Sequence, residues 1–507
     1  MAYEVVVVGG GIGGLTTAAL LAARGVNVCL FEKESRAGGC AASFEKFGYT
    51  FEQTASLYAS WEPGEIHERV FAELRHTTPP EVRLAEPAYV VRLPDGTDVP
   101  IVKDDAEFEA TLRAAFPECA DACVDFYREL APVGEALRRV ARRAYDLRTA
   151  SRLRRTLATV AEARIASRVL GAMNRTTGEY LAGTSARFRR FIDVQLQIFA
   201  QRASQECAYL YAAVALMLPR AGMYSMRGGA QALADALVEA IRQSGGTVRL
   251  NTTVLRLAHD AVGRARGVDL LSGETVEATR AVVSNLTVWD TYGKLVGTNR
   301  TPEELRLRLK HLRGWGAYLL YLGMDERAAD ALPAEHVLAL TDWCEGEEYD
   351  AEKAQFMFSA APAWDARAPA GKRAVTLSTF TEPTQWFSFH EDETEHEEQD
   401  QSRLEQCWER LHRSMPELGD SVEVIETATP RTFYETTRRK LGMVGGVGQS
   451  LDVFGMNSLS HRTPLPNLYI VGDTTFPGQG IAAVTQSGLI VADEIAPRAQ
   501  HKSKDEG

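Results

Sequence analysis

Two glycine-rich phosphate cradles stand near opposite ends of this chain, and few folds can use both. The first is Gly9-Gly10-Gly11-Ile12-Gly13-Gly14; the second is Gly472-Asp473 followed by Pro477-Gly478-Gln479-Gly480. One such loop can hold any dinucleotide. With 457 positions between Gly14 and Gly472, a pair implies a chain that leaves its nucleotide-binding domain, builds something else, and returns to finish the site. Flavoproteins are commonly assembled this way, so the pair points to FAD.

The first cradle has the right neighbours. Val5 to Val8 is an unbroken apolar run, as expected of a buried parallel strand. Gly9, Gly11 and Gly14 fit G-x-G-x-x-G, with Gly13 in the same loop. The first glycine turns the chain, the second admits backbone amides to a pyrophosphate, and the third lets a helix pack on the sheet. Leu15, Ala18, Ala19, Ala22 and Ala23 predict that helix, stopped by Gly25. A second strand, Asn27 to Phe31, leads to Glu32 and Lys33. A carboxylate at Glu32 suits a ribose 2′-OH and disfavours a 2′-phosphate. Beyond it, Arg36-Ala37-Gly38-Gly39 reads either as a plain turn or as further amides and a cation for the same pyrophosphate.

At the other end, Asn467 to Val471 reads as a buried strand ended by Gly472-Asp473, and Ile481 to Ile495 as a helix. Asp473 can hold ribityl hydroxyls. The positive helix N-terminus at Gly480-Ile481 can face the flavin's pyrimidine carbonyls. The plainer reading is a buried N-cap turn.

Length allows more than one domain, and 45% hydrophobic with 24% charged residues is the balance of a soluble globular protein. Residues 5 to 23 are apolar enough to mimic a membrane span, but glycines crowd 9–14 and no basic segment precedes them, so neither a signal peptide nor an anchor is expected. The seven cysteines form no CxxC and read as reduced cytoplasmic thiols; no metal site is expected. A net charge of −12 argues against a nucleic-acid partner. Residues 138–190, however, hold fourteen arginines and three acids, a local charge of +11. Arg138-Arg139, Arg142-Arg143, Arg154-Arg155 and Arg189-Arg190 lie among apolar residues at helical spacing. Such a segment suits an anionic membrane surface, or a helical face paired to acids elsewhere.

Between the cradles, Gly228-Gly229 opens a helix, 268–277 reads as a β-hairpin, and Ala281-Val282-Val283 as a separate buried strand. The acidic stretch Glu391 to Asp400 reads as a solvated connector. The expected division is therefore FAD-binding domain in 1–75, 220–295 and 425–496, substrate domain in 76–219 and 296–424, and a disordered tail in 497–507.

Several longer strings then become familiar: Gly38-Gly39-x-x-x-Ser43-Phe44-Glu45 with Gly48-Tyr49-Thr50-Phe51; Tyr224-x-x-Arg227-Gly228-Gly229; Val282-Val283-Ser284-Asn285; Thr429-Pro430-x-Thr432; and the closing run 467–481, NLYIVGDTTFPGQGI. With these the chain resembles the phytoene desaturase superfamily of FAD-dependent oxidoreductases over essentially its whole length, and its carotenoid isomerase (prolycopene isomerase) branch in particular. The resemblance implies an α/β fold: a Rossmann-type, GR2-like FAD-binding domain with an inserted α+β substrate domain and a helical membrane-contacting region. It implies a hydrophobic polyene substrate reaching the flavin through an apolar tunnel, in a cytoplasmic, peripherally membrane-associated enzyme. It places Gly9, Gly11, Gly14, Glu32, Arg36, Gly38, Gly39, Asp473, Gln479 and Gly480 at the cofactor, with the Val254 backbone near adenine.

The activities implied are cis–trans isomerisation or desaturation. Rivals are a retinol-saturase-like reductase, a non-catalytic FAD- or carotenoid-binding protein and, more remotely, an amine oxidase. No protein acid or base is assigned; Trp315, Tyr318 and Tyr321 fit either a tunnel wall or plain core. One departure stands out. Where the family has Asp-x-Gly, this chain has Glu52-Gln53-Thr54, which bears on substrate choice or redox tuning.

Overall fold

The computed structural model describes residues 2–54, 57–142, 163–387 and 393–498. At its centre Ala2–Val8 lies between Val28–Phe31 and Thr275–Ser284, all parallel, with Thr247–Arg249 outside the second and Leu468–Ile470 outside the third. Val5 to Val7 are fully buried, as a parallel strand covered on both faces must be. The helices Ile12–Ala23, Gly229–Gln243 and Ile481–Ile495 share one buried cluster on one face. An antiparallel meander through Val254–His259 and Ala265–Leu270 continues the sheet.

The sequence reading split residues 274–283 into two strands, yet Thr275–Ser284 is continuous. Its first residues pair with Ala265–Leu270 and its last with Ala2–Val8 and Leu468–Ile470, so one strand serves both halves of the sheet.

A second seven-stranded sheet draws on two distant segments. Its order is Val422–Ala428, Gly316–Asp325, Lys372–Thr381, Gln355–Ala360, His336–Leu340, Tyr89–Arg92 and Asp98–Ile101. Residues 89–101 and 316–428 thus build one sheet. Helices between Asp105 and Ala221 pack on it around Phe116, Phe188 and Leu338. On its other side, Tyr318 and Leu320 pack with Trp386, Leu411 and Met415. The acidic stretch read as a connector is largely helical: Glu393–Ser414 forms one helix, because Cys407 and Leu411 give its later turns a buried face. Residues 391–392 lie outside the described residues, as do 499–507 of the expected tail.

A buried ionic knot ties the 365–367 loop of the inserted segment to the strand Tyr49–Glu52 and to the start of the helix Gly229–Gln243. Arg367 donates to Glu52 at 2.8 Å, to Asp365 at 2.6 Å and to the Met226 carbonyl at 2.7 Å. Glu52 also accepts from the Ala230 amide at 2.9 Å and from the Tyr58 hydroxyl, and Asp365 from the Gly228 amide at 2.7 Å. Gly229 has to be glycine here: its φ is +65°, and a Cβ would lie 2.5 Å from the Glu52 carboxyl carbon. Glu52 is therefore a structural residue of this knot.

Two buried imidazoles give stability a pH dependence. Burial pushes His67 down to about 3, and burial with the neighbouring Arg367 charge pushes His336 down to about 4. Both pKa values are depressed on folding. Below the ordinary histidine range the unfolded chain therefore takes up protons that the folded chain refuses, and stability falls with falling pH. Each imidazole should contribute a slope of about 1.4 kcal/mol per pH unit between roughly pH 6 and its folded value. Urea denaturation across that window should show a wild-type slope steeper by that amount than that of His67→Phe; equal slopes would refute the assignment.

Candidate active site

The two cradles meet. A Cβ on Gly13 would lie 3.3 Å from the Gly472 amide nitrogen, and one on Gly488 would lie 2.7 Å from the Gly13 carbonyl oxygen. The helices Ile12–Ala23 and Ile481–Ile495 therefore touch backbone to backbone. Neither has a side-chain N-cap, since Gly11 and Gly480 stand there, and neither has an acid in its first turn. The positive ends are left for an outside acceptor, apart from the Gly14 amide of the first, which the Asn285 side chain takes at 2.8 Å. The later helix is buried from Thr485 to Ala492, whereas Ile481 to Val484 are only half-buried, so its first turn is uncovered.

Around the first cradle, Gly10 donates to Glu32 Oε2 at 2.7 Å and Glu34 donates to Oε1 at 2.9 Å. A carboxylate offers about four lone-pair positions, so Glu32 retains acceptor capacity for a diol. Gly38 donates to the Gly10 carbonyl at 2.8 Å, which zips the second glycine pair onto the first loop, and Gly39 faces the Gly11 backbone. Arg36 is half exposed, 3.8 Å from Asp235. Lys33 pairs with Glu34 and donates to the Glu435 carbonyl at 3.2 Å. Val254 opens the meander strand, packed against the cluster that holds Val6, Val8 and Phe31.

At the second cradle, Gly472 donates to Ser487 Oγ at 3.0 Å. Asp473 accepts from Arg439 at 2.8 Å. Burial works against the Arg439 charge, but Asp473, Cys40 and Asp290 outweigh it and its pKa is raised. Gln479 does not point freely into the site: its amide donates to the Ile198 carbonyl at 2.8 Å, and its oxygen would lie 2.7 Å from a Cβ on Gly445. Gly446, at φ +84°, packs against the Asp473 carbonyl. A bare backbone at 445–446 is thus required for the inserted helix Ala186–Ala200 to close on the cradle.

Of the aromatic candidates, Tyr318 is core, its hydroxyl donating to Asp400 at 2.7 Å. Tyr321 lies on the other sheet face against Phe44 and Phe51 and donates to the Gln53 carbonyl at 3.2 Å. Trp315 packs edge-on to Phe380. Thr54 donates to the Cys40 carbonyl at 3.4 Å, which puts it beside the Gly38-Gly39 turn.

Two residues of this site carry no local signal of their role. Asn285 accepts from the Gly14 amide at 2.8 Å, and its side chain occupies the space that Cβ atoms on Gly11, Gly13 and Gly14 would fill. The glycines of the first loop are bare partly to admit it. Arg439, in a run of three cations, is the other. A strand-ending asparagine was visible in Val282-Val283-Ser284-Asn285, but its contact is 271 residues away in sequence.

The donor set fits a dinucleotide with a flavin: two uncapped helix ends side by side, a carboxylate beside the first, and an aspartate–arginine pair beside the second. Comparison with known proteins agrees. The family model for flavin containing amine oxidoreductase matches residues 12–496. Prolycopene isomerase of Arabidopsis thaliana is 25% identical over 506 residues, covering 97% of this chain and 82% of that protein. Human all-trans-retinol 13,14-reductase is 25% identical over 533 residues, covering 98% and 86%. An oxidoreductase structure from Methanosarcina mazei superposes with a TM-score of 0.66 at 17% identity, over 97% of this chain and all of that one, which speaks to the fold. The chain belongs to the flavin-containing amine oxidoreductase family and is an FAD-dependent oxidoreductase related to prolycopene isomerase.

Proposed function

We propose that this enzyme acts on a carotenoid-like polyene, by cis–trans isomerisation or by desaturation. The observation that carries the reading is the full-length likeness to prolycopene isomerase, and the engaged polar groups of the second cradle accord with it. Asp473 is held by Arg439 and Gln479 by Ile198, which suits a hydrocarbon that asks for placement and dryness more than hydrogen bonds.

In this reading Glu32 takes the ribose, while Gly9, Gly11, Gly13 and Gly14 with Gly38, Gly39 and Arg36 receive the pyrophosphate. Lys33 flanks them and the Val254 backbone lies at the adenine. Gly472 and Asp473 hold the ribityl chain, and Gly480 and Ile481 present the helix end to the ring. Bound FAD supplies the electron-transfer chemistry that a carbon–carbon double bond requires. The protein orients the polyene and excludes water.

Arg439→Met should leave the Asp473 carboxylate uncompensated. FAD affinity, read by flavin fluorescence, should fall at least about tenfold, or 1.4 kcal/mol; an unchanged affinity would remove Arg439 from the site.

Peripheral membrane contact is part of the proposal, on narrower grounds than the arginine count. Arg138 and Arg142 pair with Glu65, Arg139 with Glu135, Arg175 with Glu179, Arg187 with Asp95 and Arg190 with Asp193. Arg143, Arg154 and Arg155 lie outside the described residues. What supports contact is the exposed set Arg168, Leu170 and Met173, on and just after the helix Ala163–Ala172. Among the described residues, no helix is long and apolar enough to cross a membrane.

The test is anaerobic incubation of poly-cis lycopene with the reduced holoenzyme and, separately, with the oxidised holoenzyme. A mass-neutral shift in absorption is the result for an isomerase, and loss of two hydrogens with the oxidised enzyme, matched by reduction of its FAD, is that for a desaturase. Gain of two hydrogens, on this or on retinol, would move the assignment to the reductase reading that the likeness to the human enzyme favours. No conversion of any polyene by flavin-loaded protein would overturn the reading.

A further inference from the structure

A cleft of about 530 Å³ opens beside the turn Thr291–Leu295 and the helix Glu303–His311, and none of its lining residues belongs to either glycine cradle. Trp289, Tyr292 and Leu309 line it and are buried. The Trp289 indole is fixed by donating to the Leu309 carbonyl at 2.9 Å. Arg306, Lys310 and Lys440 also line it, against a single acid, Glu303. That acid stands in the first turn of its helix, where it complements the positive helix end.

Among the described residues none of these three cations makes an ion pair, whereas Lys33, Lys46, Lys294, Lys353 and Lys372 all do. The buried acid nearest Lys440, Asp290, is already committed. It pairs with Lys294 at 2.8 Å and accepts from the Thr287 hydroxyl and the Lys440 backbone amide. The Lys440 ammonium instead lies 5.4 Å from the Trp289 ring centroid. Burial lowers its pKa, with Asp290 opposing only in part. Arg306 and Lys310 are four residues apart on one helix, so they sit on one face and repel each other. An anion between them would relieve that repulsion. In a chain of net charge −12, an unpaired basic trio over an aromatic floor is a recognition surface by charge and by shape.

We propose that this cleft binds an amphiphilic anion, its phosphate or carboxylate head held by Arg306, Lys310 and Lys440 and its apolar body lying on Trp289, Tyr292 and Leu309. The floor decides against a bare inorganic ion, which would leave the aromatic surface uncovered. The proposal stands independently of the polyene reading. The head group comes from a soluble amphiphile or from a membrane lipid, and the two sources separate in solution.

The experiment titrates flavin-loaded protein with dodecyl phosphate below its micellar concentration and, separately, with vesicles containing phosphatidic acid. Calorimetry or flotation reads affinity, and tryptophan emission reads location. Saturable binding from at least one source is expected, with an emission change lost in Trp289→Phe. Arg306→Glu/Lys310→Glu should weaken binding at least tenfold while flavin content stays at the wild-type level, since both side chains are exposed and outside the cradles. Inorganic phosphate should bind at least tenfold more weakly than dodecyl phosphate. Response to the free amphiphile assigns a soluble ligand; response to vesicles alone assigns a lipid head group. Equal affinity in the double variant, equal affinity for inorganic phosphate, or binding from neither source would overturn the proposal.

Discussion

Arg367→Met should destabilise the protein by about 3–5 kcal/mol, the range found when one member of a buried ion pair is removed. The guanidinium contacts two buried carboxylates, Glu52 and Asp365, and it also satisfies the Met226 carbonyl. Burial alone would lower the Arg367 pKa, but the two carboxylates more than offset this and raise it. Methionine fills much of the volume and restores none of the charge, so both acids would be stranded in low dielectric. Because the knot joins Tyr49–Glu52, the Gly228-Gly229 turn and the 365–367 loop, its loss should also loosen the inserted sheet from the Rossmann sheet. Equilibrium urea unfolding, with the m-value checked, measures the change; a loss below about 1 kcal/mol would mean that the charges are screened and the knot is incidental.

Gly13→Val should abolish flavin binding in protein that still folds. A Cβ at this position lies 2.8 Å from Asn285 Oδ1 and 3.3 Å from the Gly472 nitrogen, so two further methyl groups would wedge the cradles apart. The positive ends of the two helices would no longer converge. A fall in FAD affinity of at least about 100-fold, near 2.7 kcal/mol, is expected. Circular dichroism separates this from unfolding, and native-like affinity in the valine variant would show that the loop has slack the packing does not suggest.

Local pattern carried the first half of the site. An apolar run, a small-residue helix, a second strand and Glu32 lie within thirty residues, and each is set by backbone periodicity and glycine sterics. The C-terminal strand and helix were legible for the same reason. What the sequence could not reveal depends on contacts between distant segments. Asn285 reaches back to Gly14, and Arg439 reaches forward to Asp473 from a short irregular turn after the helix Pro430–Thr437. Residues 274–283 looked like two strands because the exposed Glu277, Thr279 and Arg280 interrupt the apolar pattern; pairing with Ala2–Val8 and Ala265–Leu270 overrides it. The arginine-rich segment illustrates the limit of composition. Six of its arginines face acids, Arg138 and Arg142 the distant Glu65, Arg187 the distant Asp95, and Arg139, Arg175 and Arg190 acids three or four residues away, and charge counting alone cannot distinguish those from cations left for a membrane.

The most direct test of the account is the amount of FAD released per chain on heat denaturation of the purified protein, measured for wild type, Gly13→Val and Gly472→Val. Gly472 sits at φ +121° with Asn285 Oδ1 3.6 Å from where its Cβ would be, so its substitution strains the second cradle as the other strains the first. The account predicts a single FAD per wild-type chain and almost none in either variant. Retention of stoichiometric FAD after damage at one end would contradict a cofactor held from both termini at once.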